Sequence, residues 1–157
     1  MHKFLMAAGA AMLALGAAAI AAAPALAQDA KTGGNDVKED LGVNNRQIVD
    51  KPAGDRSVVQ QHAGPGSHDN TQSVTTSSPG SSPNTIVQST SGGNNVQTAV
   101  QTGGSGNVVV QTQQGSGNRQ TVIQTGDGNR AVQSQTGDNH TGTLDQHGGQ
   151  TDTQIQK

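Results

Sequence analysis

The residues QTGDGNRAVQSQTGD, from Gln124 to Asp138, end as they begin. Gln-Thr-Gly-Asp opens the stretch and returns eleven residues later. Asn129 lies between the two copies, six residues before Gln135. A polar stretch with such regular spacing predicts a structural repeat rather than a random low-complexity tract.

The composition excludes an ordinary hydrophobic core. The chain of 157 residues contains 19 Gln, 11 Asn and 22 Gly, but one aromatic residue, Phe4, and no cysteine. Burial of apolar surface stabilises a fold by about 25 cal/mol per Å². In such a chain this gain does not offset the conformational entropy lost on ordering the backbone, which costs roughly 1–2 kcal/mol per residue. Two states remain: a disordered chain, or a chain ordered by backbone ladders and stacked identical side chains.

Residues 1–27 have the features of a secretory signal peptide. A basic start precedes an apolar run from Phe4 to Ala23, and Ala25-Leu26-Ala27 is a typical cleavage box. We expect cleavage between Ala27 and Gln28, which predicts a secreted protein. The alternative is an uncleaved membrane anchor, since the run is about as long as a spanning helix. The box of small residues favours cleavage.

Asn and Gln keep a common register over the C-terminal half. Asn recurs at steps of eleven or twelve residues, and a Gln follows each Asn after six. This even spacing puts both side chains on one face of a strand, because successive side chains point to opposite faces. The paired residues of the four predicted strands are Asn95 and Gln101, Asn107 and Gln113, Asn118 and Gln124, and Asn129 and Gln135. A shortened step of ten residues then leads to Asn139.

Glycine-rich connectors separate these strands and supply the positive φ of tight reversals. The predicted turn glycines are Gly106, Gly115, Gly117, Gly126 and Gly128. Two strand-turn units form one coil of about 22 residues, and stacked coils place like amides at about 4.8 Å, each bonded to the next. The sequence thus predicts an all-β solenoid. A meander of hairpins is the alternative, but it would have no hydrophobic face to bury.

The repeats resemble those of the curlin family. The unit from Gln124 to Gln135 agrees with the curlin repeat Gln-x-Gly-x-x-Asn-x-Ala-x-x-x-Gln at every defined position. The preceding unit, from Gln113, differs only in having Gln120 in place of Ala. The resemblance covers residues 95–135, roughly a quarter of the chain.

This resemblance implies a secreted subunit of curli, the functional amyloid fibres of bacterial surfaces. Such a subunit folds as a β-solenoid and forms a fimbrium, or pilus-like fibre, that serves cell adhesion and biofilm formation. The implied partners are further copies of the chain, a second curlin-like subunit, and a curli-type outer-membrane secretion pore with its chaperones. The implied route is through the periplasm to an extracellular fibre.

Four segments are expected along the chain. They are a signal peptide (1–27), a disordered lead (28–44), a low-complexity segment with degenerate repeats and a Ser/Pro/Gly linker (45–90), and the curlin-like repeat region (91–157). Pro65 and two prolines near residue 80 interrupt the backbone hydrogen-bond ladder expected in the third segment, because proline has no N–H to donate. Whether residues 45–76 form coils or a flexible arm stays open at this stage.

No arrangement typical of an enzyme is found. A nucleophile–base pair, a phosphate loop and an aromatic-basic nucleic-acid surface are all missing, so we predict neither catalysis, nor a cofactor, nor nucleic-acid binding. His62, His68 and Asp69 could bind a metal, but solvated loop residues are the favoured interpretation and no metal is predicted. Once the signal is removed, no membrane association is expected.

Two further expectations concern the outward side chains. Arg119 and Arg130 occupy equivalent positions and are expected to stack as like charges that slow association, or to be plain surface residues. A solenoid that binds a surface such as ice through outward threonines is an alternative function, although Thr98, Thr112 and Thr121 do not form one clean row. A disordered matrix or linker protein is the other alternative.

Overall fold

The computed structural model describes residues 28–31, 36–52, 54–77 and 83–157. The predicted cleavage residue Ala27 lies outside these ranges, as does the rest of the predicted signal peptide, whereas Gln28 begins the first strand. All regular structure in the described ranges is β-strand, and none of it is a helix long and apolar enough to cross a membrane. The strands are β1 (Gln28–Lys31), β2 (Asp36–Asp40), β3 (Arg46–Asp50), β4 (Val58–Ala63), β5 (Thr71–Ser77), β6 (Thr85–Ser91), β7 (Val96–Thr102), β8 (Val108–Gln114), β9 (Arg119–Thr125), β10 (Arg130–Thr136), β11 (Thr141–His147) and β12 (Thr151–Gln156).

The strands form two parallel sheets of six. Sheet A has the order β1-β3-β5-β7-β9-β11, and sheet B has the order β12-β10-β8-β6-β4-β2. Because consecutive strands alternate between the sheets, each coil contributes one strand to each. The predicted all-β solenoid is therefore confirmed.

Coil length varies while the strands stay in register. Arg130 pairs with Thr151, 21 residues later, whereas Val58 pairs with Thr85, 27 residues later. The difference is taken up between the strands, since seven-residue strands recur from β5 to β11. Neighbours eleven residues apart thus lie on opposite sheets, and stacked neighbours are about one full coil apart.

The N-terminal half joins the stack. Strands β3 to β6 pair with one another and with β7 and β8, so residues 46–50, 58–63, 71–77 and 85–91 form coils rather than a flexible arm. The segment 28–44, expected to be a disordered lead, contains β1 and β2. These two strands lack the Asn/Gln register, and backbone pairing with β3 and β4 holds them in place.

The interior contains one narrow apolar line among polar side chains. Strands β3 to β10 each contribute one buried aliphatic residue to this line, and Leu144 of β11 packs against it. The members are Val49, Val59, Val74, Ile86, Ala99, Val109, Val122 and Ala131. The remaining inward positions are mainly Asn and Gln, so hydrogen bonds must stabilise most of the interior.

Candidate functional site

All eight residues of the predicted ladder point into the solenoid. Their exposed fractions are 2 % or less, and each Asn lies on the same side of its strand as its Gln. The structure brings them together in two sets, because alternate units belong to different sheets. Asn95, Gln101, Asn118 and Gln124 lie in sheet A, and Asn107, Gln113, Asn129 and Gln135 lie in sheet B.

The glutamines form columns of side-chain amides. In sheet A, Gln101 Nε2 donates to Gln124 Oε1 at 2.8 Å, and Gln124 Nε2 donates to Gln146 Oε1 at 2.7 Å. In sheet B, Gln113 Nε2 donates to Gln135 Oε1 at 3.2 Å. The amide group of Gln124 also donates to the backbone carbonyl of Val108 in the opposite sheet, at 3.1 Å. One glutamine therefore connects successive coils and also joins the two sheets.

Two further glutamine columns lie beside these, and the eleven-residue register did not reveal them. The residue immediately before each of these strands lies at a corner of the solenoid. A Gln follows this corner residue after two positions in sheet A and after four in sheet B, so these glutamines recur only with the full coil. A search at a period of about 22 residues would have found them. The columns are Gln47, Gln72, Gln97 and Gln120 in sheet A, and Gln61, Gln88, Gln111, Gln133 and Gln154 in sheet B.

The four asparagines of the predicted ladder stack through the backbone rather than amide to amide. Asn118 N–H donates to Asn95 Oδ1 at 3.0 Å, and Asn129 N–H donates to Asn107 Oδ1 at 2.8 Å. Asn118 Nδ2 donates to the carbonyl of Gly137, in the turn between β10 and β11, at 2.7 Å. The expectation that each Asn amide bonds the next is corrected for these four, because their short side chains reach backbone carbonyls instead. Nearer the N-terminal end, Asn70 Nδ2 does donate to Asn45 Oδ1, at 3.0 Å.

The five predicted turn glycines all have positive φ. The angles are 71° at Gly106, 112° at Gly115, 70° at Gly117, 85° at Gly126 and 69° at Gly128. At Gly115 the next coil also approaches closely, since a Cβ atom there would lie 2.1 Å from the carbonyl oxygen of Gly137. The turns thus stack on one another as the strands do.

The register continues differently after Asn129 than the sequence suggested. His140, not Asn139, takes the corner position of β11, and its N–H donates to Asn118 Oδ1 at 2.9 Å. Gln146 follows six residues later and accepts from Gln124. The eleven-residue step is preserved, and Asn139 adopts a turn conformation with φ of 60°.

The outward positions also differ from expectation. Arg119 lies in sheet A between Val96 and Thr141, and Arg130 lies in sheet B, so the two guanidinium groups do not stack. Thr98 and Thr121 are direct neighbours in sheet A.

The candidate metal residues do not converge. His62 Nδ1 lies 3.2 Å from Glu39 Oε2, and His68 Nδ1 lies 3.2 Å from Asp69 Oδ2. Within the ranges that the structure describes, no group of three or more His, Cys, Asp or Glu side chains is arranged to hold a metal ion.

The amide columns have a direction. Each Gln donates from its Nε2 toward the C-terminal coils and accepts at its Oε1 from the N-terminal side. Among the described residues, the first glutamine of each column has a buried Oε1 without a hydrogen-bond partner; these are Gln47, Gln61, Gln101 and Gln113. The stack is therefore polar, with acceptor atoms facing the N-terminal end and donor groups facing the C-terminal end.

Comparison with known proteins gives no match to a family model, a curated protein or a solved structure. The geometry itself indicates that the stack can be extended by further strands. Strands at both ends of each sheet carry backbone groups that can pair with a further strand. Three of the four amide columns reach the C-terminal edge strands, at Gln146 of β11 and at Gln154 and Gln156 of β12.

Proposed function

We propose that this protein is a secreted structural subunit that assembles into a curli-like amyloid fibre at the bacterial surface. The observation that carries the proposal is the set of amide columns in the stack, three of which reach the open C-terminal edge strands β11 and β12. An added coil would extend the backbone ladders and the columns together, which is the bonding pattern of amyloid. The signal-peptide features and the curlin-like repeats support the secreted location.

The two ends of the stack are matched in strand order. The first coil consists of β1 and β2, and the last consists of β11 and β12. A second copy placed end to end would extend both sheets at once, because every coil contributes one strand to each sheet. Edge pairing of this kind requires no catalysis and favours growth by addition of identical subunits.

The remaining features of the proposal follow from the resemblance to curlins. The subunit passes through the periplasm and a curli-type outer-membrane pore with chaperones, and it serves adhesion and biofilm formation as a bulk or nucleating subunit. Its main partner is the same chain, with or without a second curlin-like subunit.

The test uses the protein without residues 1–27. Thioflavin fluorescence and sedimentation are followed over days, with and without preformed seed. We expect a lag, then sedimentable fibres, and a shorter lag with seed. A protein that stays unassembled with a random-coil circular dichroism spectrum would instead be a disordered matrix or linker protein.

A second candidate function has one supporting observation. Sheet A presents a continuous outward column of hydroxyl side chains formed by Ser73, Thr98, Thr121 and Thr143. A regular hydroxyl array on a rigid sheet is the kind of surface that could bind ice, and Thr112 is excluded from it because it lies in sheet B. A soluble monomer with thermal hysteresis and no fibres would favour this candidate over the fibre subunit.

A further inference from the structure

A fully buried lysine lies near the N-terminal end of the stack. The Lys51 side chain has an exposed fraction of 0 %, and by register it lies in the sheet A column that contains Thr76 and Gln101. Its Nζ donates to Asp36 Oδ1 at 2.9 Å and to the backbone carbonyl of Ser57. A buried ammonium is stable only with such partners, so Lys51 requires an acid at the position of Asp36.

Asp36 belongs to β2, which differs from the other strands of sheet B. Its inward residues, Asp36, Lys38 and Asp40, are charged, whereas those of β4 to β10 are aliphatic, amide or hydroxyl. Lys38 lies directly over Gln61, yet the buried Oε1 of Gln61 has no hydrogen-bond partner. Strand β2 therefore supplies an acid to Lys51 but does not continue the amide column.

Strand β12, at the opposite end of sheet B, has inward residues that suit the position of β2 beside β4. The register from β2 through β4, β6, β8 and β10 to β12 puts Asp36 and Asp152 in one column, in which every residue between them is aliphatic. The same register puts Gln154 in the column of Gln61. Thus β12 carries an acid where β2 does, and a glutamine where β2 has Lys38.

We propose that the last coil of a second copy, β11 and β12, displaces the first coil, β1 and β2, so that β12 docks on β4 and Asp152 of the second copy replaces Asp36 beside Lys51. Gln154 of that copy then donates to the unpaired Oε1 of Gln61, and the donor end of one stack meets the acceptor end of the next. In the free molecule β2 occupies this position, and its Asp36 pairs with Lys51. This inference rests on the proposed fibre function and specifies the junction between subunits.

Two pairs of introduced cysteines distinguish strand exchange from simple stacking. Val37, Gln60 and Thr153 lie in one outward column, and the chain has no cysteine of its own. If β12 docks on β4, the variant with Gln60→Cys and Thr153→Cys forms disulfides between subunits. If β12 stacks on an undisplaced β2, the variant with Val37→Cys and Thr153→Cys forms them instead.

Both variants are assembled under reductant, then oxidised briefly and run on non-reducing gels. We expect several-fold more covalent multimer from the Gln60/Thr153 variant. More multimer from the Val37/Thr153 variant, or fibres without crosslinks in either, overturns strand exchange while leaving the fibre function in place. Absence of fibres from the unsubstituted protein overturns the proposed function, and the inference with it.

A charge variant tests the role of Lys51 as the docking partner. Asp152→Asn keeps the shape of the side chain but loses the charge-assisted hydrogen bond, so seeded elongation should slow by about tenfold or more. Asp145→Asn is the matched control, because Asp145 is an exposed acid on the outward side of β11. Elongation of Asp152→Asn as fast as the control, or faster, overturns the pairing with Lys51.

Discussion

Gln88 Nε2 donates to Gln111 Oε1 at 2.9 Å, across two neighbouring coils of sheet B. The same Gln88 amide donates to the carbonyl of Ser73 in sheet A, at 3.2 Å. Both donors of a fully buried side-chain amide are thereby used, one along the stack and one across it. In an interior with only one narrow line of aliphatic side chains, this double bonding holds the two sheets together, because each buried amide is costly if left unpaired.

Replacing one member of this column should reveal that cost. Gln111→Leu keeps the volume but leaves the donor of Gln88 and the acceptor of Gln133 unpaired in the interior. We expect the free energy of unfolding to fall by about 2–4 kcal/mol, measured by urea denaturation of the monomer. Gln114→Leu, on the exposed side of the same strand, should change it by less than about 0.5 kcal/mol. Equal losses in the two variants would show that the column is not stabilising.

The turn glycines should differ in their tolerance of substitution. Gly115 has φ of 112° and faces the carbonyl of Gly137, so Gly115→Ala adds strain and a steric clash. We expect a loss of about 2–3 kcal/mol and a lower melting temperature by circular dichroism. Gly128 has φ of 69°, which Asn tolerates, and open space around its Cα. Gly128→Asn should cost less than about 1 kcal/mol; a larger loss there than at Gly115 would contradict the assigned turn geometry.

Much of this architecture can be read from strand alternation. An Asn and a Gln six residues apart must share a face, and in a chain with few large apolar residues that face must contain paired amides. For this reason the burial of Asn118 and Gln124 follows from the spacing. The stacking partners follow less directly, since a register of eleven residues does not reveal that Arg119 and Arg130 lie on different sheets.

Other features depend on contacts that leave no periodic signal. His140 occupies a corner position through its backbone N–H, which any residue but proline could supply. Strand β2 is charged and has no repeat register, and its place is set by backbone pairing and by the contact between Asp36 and Lys51. Lys51 itself follows an ordinary strand sequence, and only its burial distinguishes it.

The proposed function predicts that the ladder controls fibre formation. Replacing four ladder residues of β9 and β10 with alanine removes amide bonds at several levels of the stack, so the lag of thioflavin fluorescence should lengthen several-fold or more. These residues are Asn118, Gln124, Asn129 and Gln135. The matched control replaces outward residues of the same strands, Thr121, Thr125, Ser134 and Thr136. An unchanged lag in the ladder variant, or equal effects in both variants, would reject the ladder as the basis of assembly.

The buried ion pair predicts that β2 opens when its acid is neutralised. Asp36→Asn leaves Lys51 buried without a charged partner, which disfavours the docked state of this edge strand. We expect amide hydrogen exchange in β2 to rise by about tenfold or more, with little change in β8 and β9, because edge strands open locally before the whole stack unfolds. Asp50→Asn provides the control, since Asp50 is exposed on the neighbouring β3. Protection of β2 that matches the unsubstituted protein would mean that backbone pairing alone holds this strand, and that the contact with Lys51 is dispensable.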